Sequence, residues 1–280
     1  MRIGIVGLGL IGGSIAKAYK AAGNEIYGFD ADEKIMALTT ADGVTDEVLT
    51  KESLGRCDLV LIAIYPSAAV VWLAENAPYI AKDTTVIDAC GVKQAVCEAG
   101  MRLAAQYGFL FVGGHPMAGT HKSGYGAARA DLFHGASMVI VPPVYDDIAL
   151  LAKIKGLLAP LGLGRIKICT ARLHDEMIAY TSQMPHIAAN AFVKSPFFDG
   201  HEGFSGGSFR DFTRVAELNE TMWTELCMDN REILMEELKR LSDNLMQYHE
   251  ALQAQDKEAL KALFREGSER KTGRKTAKQE

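Results

Sequence analysis

Between Met1 and Cys169, runs of β-branched and aliphatic residues alternate with stretches of helical character, and past Thr170 the strand-like runs stop. That change of period constrains the chain more than any other feature. The strand-like runs are residues 3–7, 25–30, 59–64, 85–88, 109–112, 137–141 and 165–168. Most are near-continuous rather than alternating, which suits strands covered on both faces. Helix-like intervals at 14–22, 68–77, 93–107 and 147–158 separate them, so the pattern predicts an α/β fold: a doubly wound parallel sheet with helices on both sides. The second half reads as all-helical, with Met177, Tyr180, Met184 and Ile187, then Leu226, Ile233, Leu234, Leu238, Leu241, Leu245, Tyr248 and Leu252, at helical spacing. No Pro or Gly interrupts Glu217 to Arg265, which predicts one very long helix or two joined ones. A stripe that long exceeds what a small domain can cover, so a homodimer built through this half is expected. The expected division is 1–169, 170–265, and a basic tail, 266–280, too poor in large apolar residues to order itself.

The first strand runs directly into Gly7-Leu8-Gly9-Leu10-Ile11-Gly12. Alone, GxGxxG is a weak pattern; between a strand and a helix it has a mechanism. Gly7 allows the tight turn, Gly9 clears the approach of a pyrophosphate, and Gly12 lets helix and strand pack closely. Leu10 and Ile11 open the helix, whose free N–H groups and positive dipole end face the phosphates. The N-terminal domain is therefore expected to be Rossmann-type. Asp30 ends the next strand, where a carboxylate accepts both ribose hydroxyls and repels a 2′-phosphate, so NAD is preferred over NADP. Asp30 also suits a simple turn cap.

With 280 residues, 48% of them hydrophobic, the chain can bury a core without disulfides or metals. A net charge of −5 argues against a nucleic-acid backbone as partner. Five cysteines with no CxxC or Cys/His ladder fit free thiols in a reducing compartment, and no metal site is expected. No apolar run is long enough to span a membrane. Residues 3–16 imitate a signal peptide, but their glycines carry the nucleotide pattern instead, and a cytoplasmic protein is expected.

Gly113-Gly114-His115-Pro116 follows a strand of the same sheet, and doubly wound sheets bind ligands beyond the carboxyl ends of their strands. His115 is thus the candidate catalytic residue, since a dehydrogenase oxidising a carbinol needs a group for the hydroxyl proton and imidazole suits neutral pH. A loop histidine satisfied by a carbonyl is the alternative. Two further clusters favour the catalytic reading: His174-Asp175-Glu176 with Ser182-Gln183-Met184-Pro185-His186, and Phe209-Arg210-Asp211-Phe212-Thr213-Arg214, where guanidinium groups among aromatics suggest carboxylate recognition. A helix-tying ion pair is the competing role, stronger for Arg210. Lys93 and Lys122 are expected to be solvated surface residues, and Cys90 and Cys97 small packing residues.

Taken together, GLGLIGGS, DACGVK at 88–93, GGHPMAGTHKSG, HDEMIAYTSQMPH and GGSFRDFTRVA resemble the prephenate/arogenate dehydrogenase family of tyrosine biosynthesis over essentially the whole chain. The resemblance implies a nucleotide-binding domain followed by a helical dimerisation domain, and NAD-dependent oxidative decarboxylation of a cyclohexadienol. It implies that His115 bonds the ring hydroxyl, that Arg214 binds a substrate carboxylate, and that His186, Ser182 and His121 line the substrate site. Trp223 matches a tryptophan near that site. Two positions depart from the pattern: many relatives carry Ser at Gly91 and Glu at His121. A histidine at 121 suits the keto-acid side chain of prephenate better than the ammonium of arogenate, so prephenate is the expected substrate and arogenate the alternative. A β-hydroxyacid dehydrogenase, or an NAD-binding redox sensor, is a more distant reading.

Overall fold

The computed structural model describes residues 1–120 and 122–273. An eight-stranded sheet has the order β3-β2-β1-β4-β5-β6-β7-β8, from β1 (Arg2–Val6), β2 (Glu25–Phe29), β3 (Glu47–Val48), β4 (Leu59–Ile62), β5 (Thr85–Asp88), β6 (Leu110–Pro116), β7 (Ser137–Val141) and β8 (Arg165–Ile168). The run 3-2-1-4-5-6 is the order of dinucleotide-binding sheets. Helix α1 (Leu10–Ala21) connects β1 to β2 and packs on both, with α2 (Glu33–Ala41), α3 (Lys51–Leu54), α4 (Pro66–Asn76), α5 (Gln94–Tyr107) and α6 (Ile148–Leu157) in later connections. Successive residues of one strand feed opposite cores: Ile3 and Ile5, Leu59 and Leu61, Ile87 and Val112 enter one, while Val6, Val60, Ile62, Val86 and Phe111 enter the other. Burial on both faces is why these runs show no polar alternation.

The sheet is not wholly parallel, contrary to the sequence expectation. β7 pairs antiparallel with β6, Gly114 opposite Ile140 and His115 opposite Val139, while β8 is parallel to β7. The connection from β6 to β7 carries only a short 3-10 turn at Tyr125–Ala127 instead of a crossover helix, and without a crossover the next strand enters the sheet reversed. Strand β3, two residues long, also escaped the sequence pattern.

The chain divides into two compact units, Met1–Ile178 with Glu217–Asn230, and Ala179–Ala216 with Arg231–Glu280. The first holds the sheet, α7 (Ala171–Ile178) and α10 (Glu220–Asp229). α10 follows the helical stretch in sequence but joins the sheet unit: Glu225 accepts from the backbone N–H and hydroxyl of Ser67 at the start of α4, and Asn230 Nδ2 donates to the Asp175 carbonyl. The second unit holds a π-helical turn (Ala179–Gln183), α8 (Met184–Phe192), α9 (Gly207–Thr213), α11 (Arg231–Gln253) and α12 (Lys257–Thr272).

The expected long helix is therefore three helices. Asn230 leaves helical geometry after α10. Gln255 turns through φ +55, and Asp256 then caps α12 by accepting from the N–H groups of Glu258 and Ala259. Asn and Asp break and restart helices by bonding the backbone themselves. Residues 266–272, expected to be part of a disordered tail, are helical instead, because α12 continues to Thr272, laced by Arg270–Glu266 pairing; residues 274–280 lie outside the described residues.

Candidate active site

At the carboxyl end of β1, Gly7 adopts φ +85 and a Cβ there would lie 2.5 Å from the Ala63 carbonyl oxygen. A Cβ on Gly12 would come within 1.7 Å of the Gly7 carbonyl oxygen, whereas one on Gly9 would meet nothing within 4 Å. Two glycines are thus required by the protein itself, and the third leaves a space. The space adjoins α1, whose cap residue is Gly9 and whose first turn has no side-chain cap and no acidic residue. The N–H groups of Leu10 and Ile11 belong to that turn, an electropositive end suited to phosphate. Asp30 organises the loop, its Oδ2 accepting from Leu8 N–H at 2.7 Å and its Oδ1 from Asp32 N–H at 2.9 Å. A carboxylate has about four acceptor positions, so these bonds leave capacity for ribose hydroxyls. Turn capping and ribose recognition are compatible at Asp30.

Further along the sheet, the end of β6 presents His115. Its Nδ1 lies 2.9 Å from His174 Nε2, and His174 Nδ1 lies 2.7 Å from Asp175 Oδ1. His174 and Asp175 sit on α7 and are buried. Asp175 also accepts from the backbone N–H groups of Lys93 at 2.8 Å and Gln94 at 2.9 Å, so it caps α5. Burial opposes its charge, but the His174 hydrogen bond and these N–H groups outweigh burial and hold Asp175 below the ordinary carboxylate range. Burial, with the charge of Lys93 and the neighbouring His174, drives His115 well below the ordinary histidine value. His174 is lowered too, by burial first and against the pull of Asp175. Both rings are neutral at pH 7.

Lys93 corrects the sequence reading of a solvated lysine. It is fully buried, with its Nζ paired to Asp88. Asp88 Oδ2 accepts from Cys90 N–H at 3.0 Å and Oδ1 from Gly114 N–H at 3.1 Å. Burial disfavours the Lys93 ammonium, but Asp88 outweighs it and holds its pKa above the usual lysine value. Asp88 thus ties β5 both to the start of α5, through Lys93, and to the strand that carries His115, through Gly114 N–H. The backbone there admits no side chains: a Cβ on Gly113 would meet Cys97 Sγ at 2.4 Å, and one on Gly114 the Asp88 carbonyl oxygen at 2.4 Å. At Gly91 a Cβ would press on Leu226 Cδ2 at 2.9 Å, so α10 occupies the room that a larger residue at 91 would need. Cys90 and Cys97 are buried, and burial pushes the Cys97 thiol up to about 12.

The remaining candidates belong to the helical unit or fall elsewhere. Ser182 lies in the π-helical turn, and its carbonyl accepts from His186 Nδ1–H at 2.7 Å. Arg210 lies in the last turn of α9 and Arg214 is its C-terminal cap residue; both are exposed. The aromatics beside them are less buried than expected: Phe212 is 42% exposed, though its ring packs edge-on against Phe192 at 5.2 Å. Trp223 is half-buried on α10. His121 lies outside the described residues. The sequence did not single out His174 and Asp175 as partners of His115, nor Lys93 with Asp88; adjacent His-Asp at a helix start was the one local signal. Among the described residues no group of His, Cys, Asp and Glu has the grouping of a metal site, and no helix is long and apolar enough to cross a membrane.

An open glycine turn at an uncapped helix start, a carboxylate at the end of the next strand, and an imidazole at the carboxyl edge of the same sheet fit a dinucleotide-dependent dehydrogenase. Two family profiles match nearly the whole chain: the prephenate dehydrogenase nucleotide-binding domain at residues 15–167, and the prephenate dehydrogenase dimerization domain at 170–266. The chain belongs to the prephenate dehydrogenase family. It is 32% identical to the prephenate dehydrogenase of Lactococcus lactis, over 95% of this chain and 75% of that protein. It is 30% identical to the cyclohexadienyl dehydrogenase of Zymomonas mobilis, over 98% of this chain and 96% of that one. The solved prephenate dehydrogenase from Aquifex aeolicus, in complex with hydroxyphenyl propionate and NAD+, superposes with a TM-score of 0.80 at 27% identity, covering 98% of each chain.

Proposed function

We propose that the chain oxidises and decarboxylates prephenate to 4-hydroxyphenylpyruvate with NAD, and that His115 acts on the ring hydroxyl. The carrying observation is the imidazole of His115 at the carboxyl end of β6, 2.9 Å from His174, on the sheet that also bears the glycine turn. The open space at Gly9, the uncapped start of α1 and Asp30 fit NAD. When bound, its nicotinamide supplies the hydride acceptor. His115 accepts a hydrogen bond from the carbinol hydroxyl and draws its proton as the carbon becomes carbonyl-like. Loss of hydride and CO2 makes the ring aromatic with no net proton released, so the proton His115 takes returns to the phenol oxygen. Arg214 is proposed for a substrate carboxylate, with His186, Ser182 and His121 as further substrate contacts; these roles rest on the family resemblance.

The helical unit is proposed to form a homodimer. Leu245, Leu252 and Phe264 are 59%, 62% and 59% exposed on α11 and α12, and exposed large apolar side chains grouped on one element suit an interface. Five free thiols accord with a reducing, cytoplasmic setting. A second reading, oxidation of arogenate, is favoured by the full-length likeness to a cyclohexadienyl dehydrogenase. Incubation with prephenate and NAD, and separately with arogenate and NAD, decides between them by the appearance of reduced nicotinamide. Turnover of prephenate alone is expected. Turnover of arogenate alone overturns the substrate assignment, and nucleotide binding with no turnover of either overturns the enzymatic one.

A further inference from the structure

The hydrogen bonds around His115 form a chain with a direction. Asp175 is ionised and can only accept, so the His174 nitrogen facing it at 2.7 Å, Nδ1, carries the proton. A neutral imidazole has one N–H, which leaves His174 Nε2 as an acceptor. The 2.9 Å contact between His174 Nε2 and His115 Nδ1 then requires His115 Nδ1–H as donor. His115, also neutral, is left with its lone pair on Nε2. The carboxylate is itself fixed at the start of α5 by two backbone N–H groups, and Asn230 holds the Asp175 carbonyl from α10. The order thus starts from a rigid anion and ends at the group proposed to meet substrate.

We propose that His174, anchored by Asp175, is a positioning residue that locks His115 in the Nδ1–H tautomer and presents Nε2 as the proton acceptor. This rests on the proposed role of His115 and extends it to two residues that act through it. Without the acceptor at His174, the Nε2–H tautomer becomes accessible, and that form offers the substrate hydroxyl a donor instead of a lone pair. The charged groups facing the two rings pull in opposite directions on His174, and burial decides for the neutral ring. Lys93, between β5 and α5, disfavours a proton on either ring, while Asp175 on α7 and Asp88 on β5 favour one on His174. Asp229 on α10 and Cys97 on α5 lie within electrostatic reach of Asp175. As His115 takes the hydroxyl proton, its Nδ1–H remains donated to His174, so the transient imidazolium is held in place by a bond that was already formed.

The test uses the full-length protein and the variants His174→Phe and His174→Gln, with thermal melting and NAD titration to establish folding. Phe removes the acceptor at similar size; Gln restores one through its amide oxygen. The expected result is a kcat about 100-fold lower for H174F with KM changed less than about 3-fold, and recovery of at least about 10-fold in H174Q. Nitrogen-15 imidazole spectra at neutral pH should show His115 as Nδ1–H in the unsubstituted protein and as a tautomer mixture in H174F. Parental kcat in H174F, no recovery in H174Q, or Nε2–H at His115 in the unsubstituted protein each overturns the proposal. That last spectrum is decisive even where a variant fails to fold. His115→Asn run in parallel separates the two levels: an inactive H115N beside a fully active H174F removes the positioning role alone, whereas an active H115N removes the catalytic reading beneath it.

Discussion

The two units solve the problem of apolar surface differently. In the sheet unit, the apolar side chains of β1, β4, β5 and β6 are almost wholly buried, and each strand supplies both cores. In the helical unit, the buried side chains are few and mostly small, such as Ala179, Ala189, Leu234 and Ala251, while Phe197, Phe204, Met235 and Leu252 remain largely exposed. Surface ion pairs such as Lys239–Asp243 line the outer face of α11 but contribute little. The sheet unit finishes its core within its own sequence and can therefore afford buried charge, including Lys93, Asp88 and the Asp175 anchor. The helical unit has an unfinished core, which is the physical basis for expecting a second copy. The proposed proton acceptor thus sits in the unit with the finished core, and the proposed association in the one without.

That contrast can be broken at several points. The largest effect is expected from His115→Asn, which should lower kcat about 1,000-fold while NAD affinity, measured by titration, stays within about twofold; loss of both together would show that His115 serves folding or cofactor binding instead. Next comes Lys93→Met, which strands Asp88 and should cost about 3–5 kcal/mol in denaturant unfolding; an unchanged midpoint would mean the buried pair contributes no more than an apolar contact. At the phosphate cradle, Gly9→Val should leave the melting temperature nearly unchanged and weaken NAD binding by at least about tenfold, because the added side chain meets only the space proposed for the pyrophosphate. Gly12→Ala should instead destabilise the fold, its Cβ falling on the Gly7 carbonyl. In the helical unit, Leu252→Lys should shift sedimentation toward monomer and make thermal stability insensitive to concentration; an unchanged dimer would move the interface elsewhere.

The smallest effect is in pH dependence. In its proposed role His115 must be unprotonated, and burial holds its folded value well below the 6.5 of an unperturbed histidine. Activity should therefore persist through pH 6.5 and fall only as the pH drops through that depressed value. Stability follows the same sign. Between 6.5 and the folded value the unfolded chain binds a proton that the folded chain does not, so stability declines as pH falls across that window. A kcat/KM profile breaking at or above 6.5 would contradict the burial and Lys93 repulsion on which this rests.

Local rules made much of the molecule legible in advance. Strands buried on both faces announce themselves as uninterrupted aliphatic runs, and β5, β7 and β8 coincide with the sequence-derived ranges. Gly7, Gly9 and Gly12 declare a backbone that must turn and approach closely, and Asp30 falls at the strand end where a ribose would need it. These are short-range consequences of side-chain size, φ and period. What the sequence could not decide depends on residues far apart in it meeting in space. Lys93 looks like any surface lysine until β5 and β6 enclose it with Asp88. His174 and Asp175 look like an amphipathic helix start until α7 sets them between His115 and the first N–H groups of α5. The reversal of β7 follows from a connection without a crossover helix, and the place of α10 from contacts at Ser67, Gly91 and Asp175. Period and composition determined which segments are strands, helices and glycine turn; only packing decided which charges are buried and which side chains, His174 and Asp175, stand behind His115.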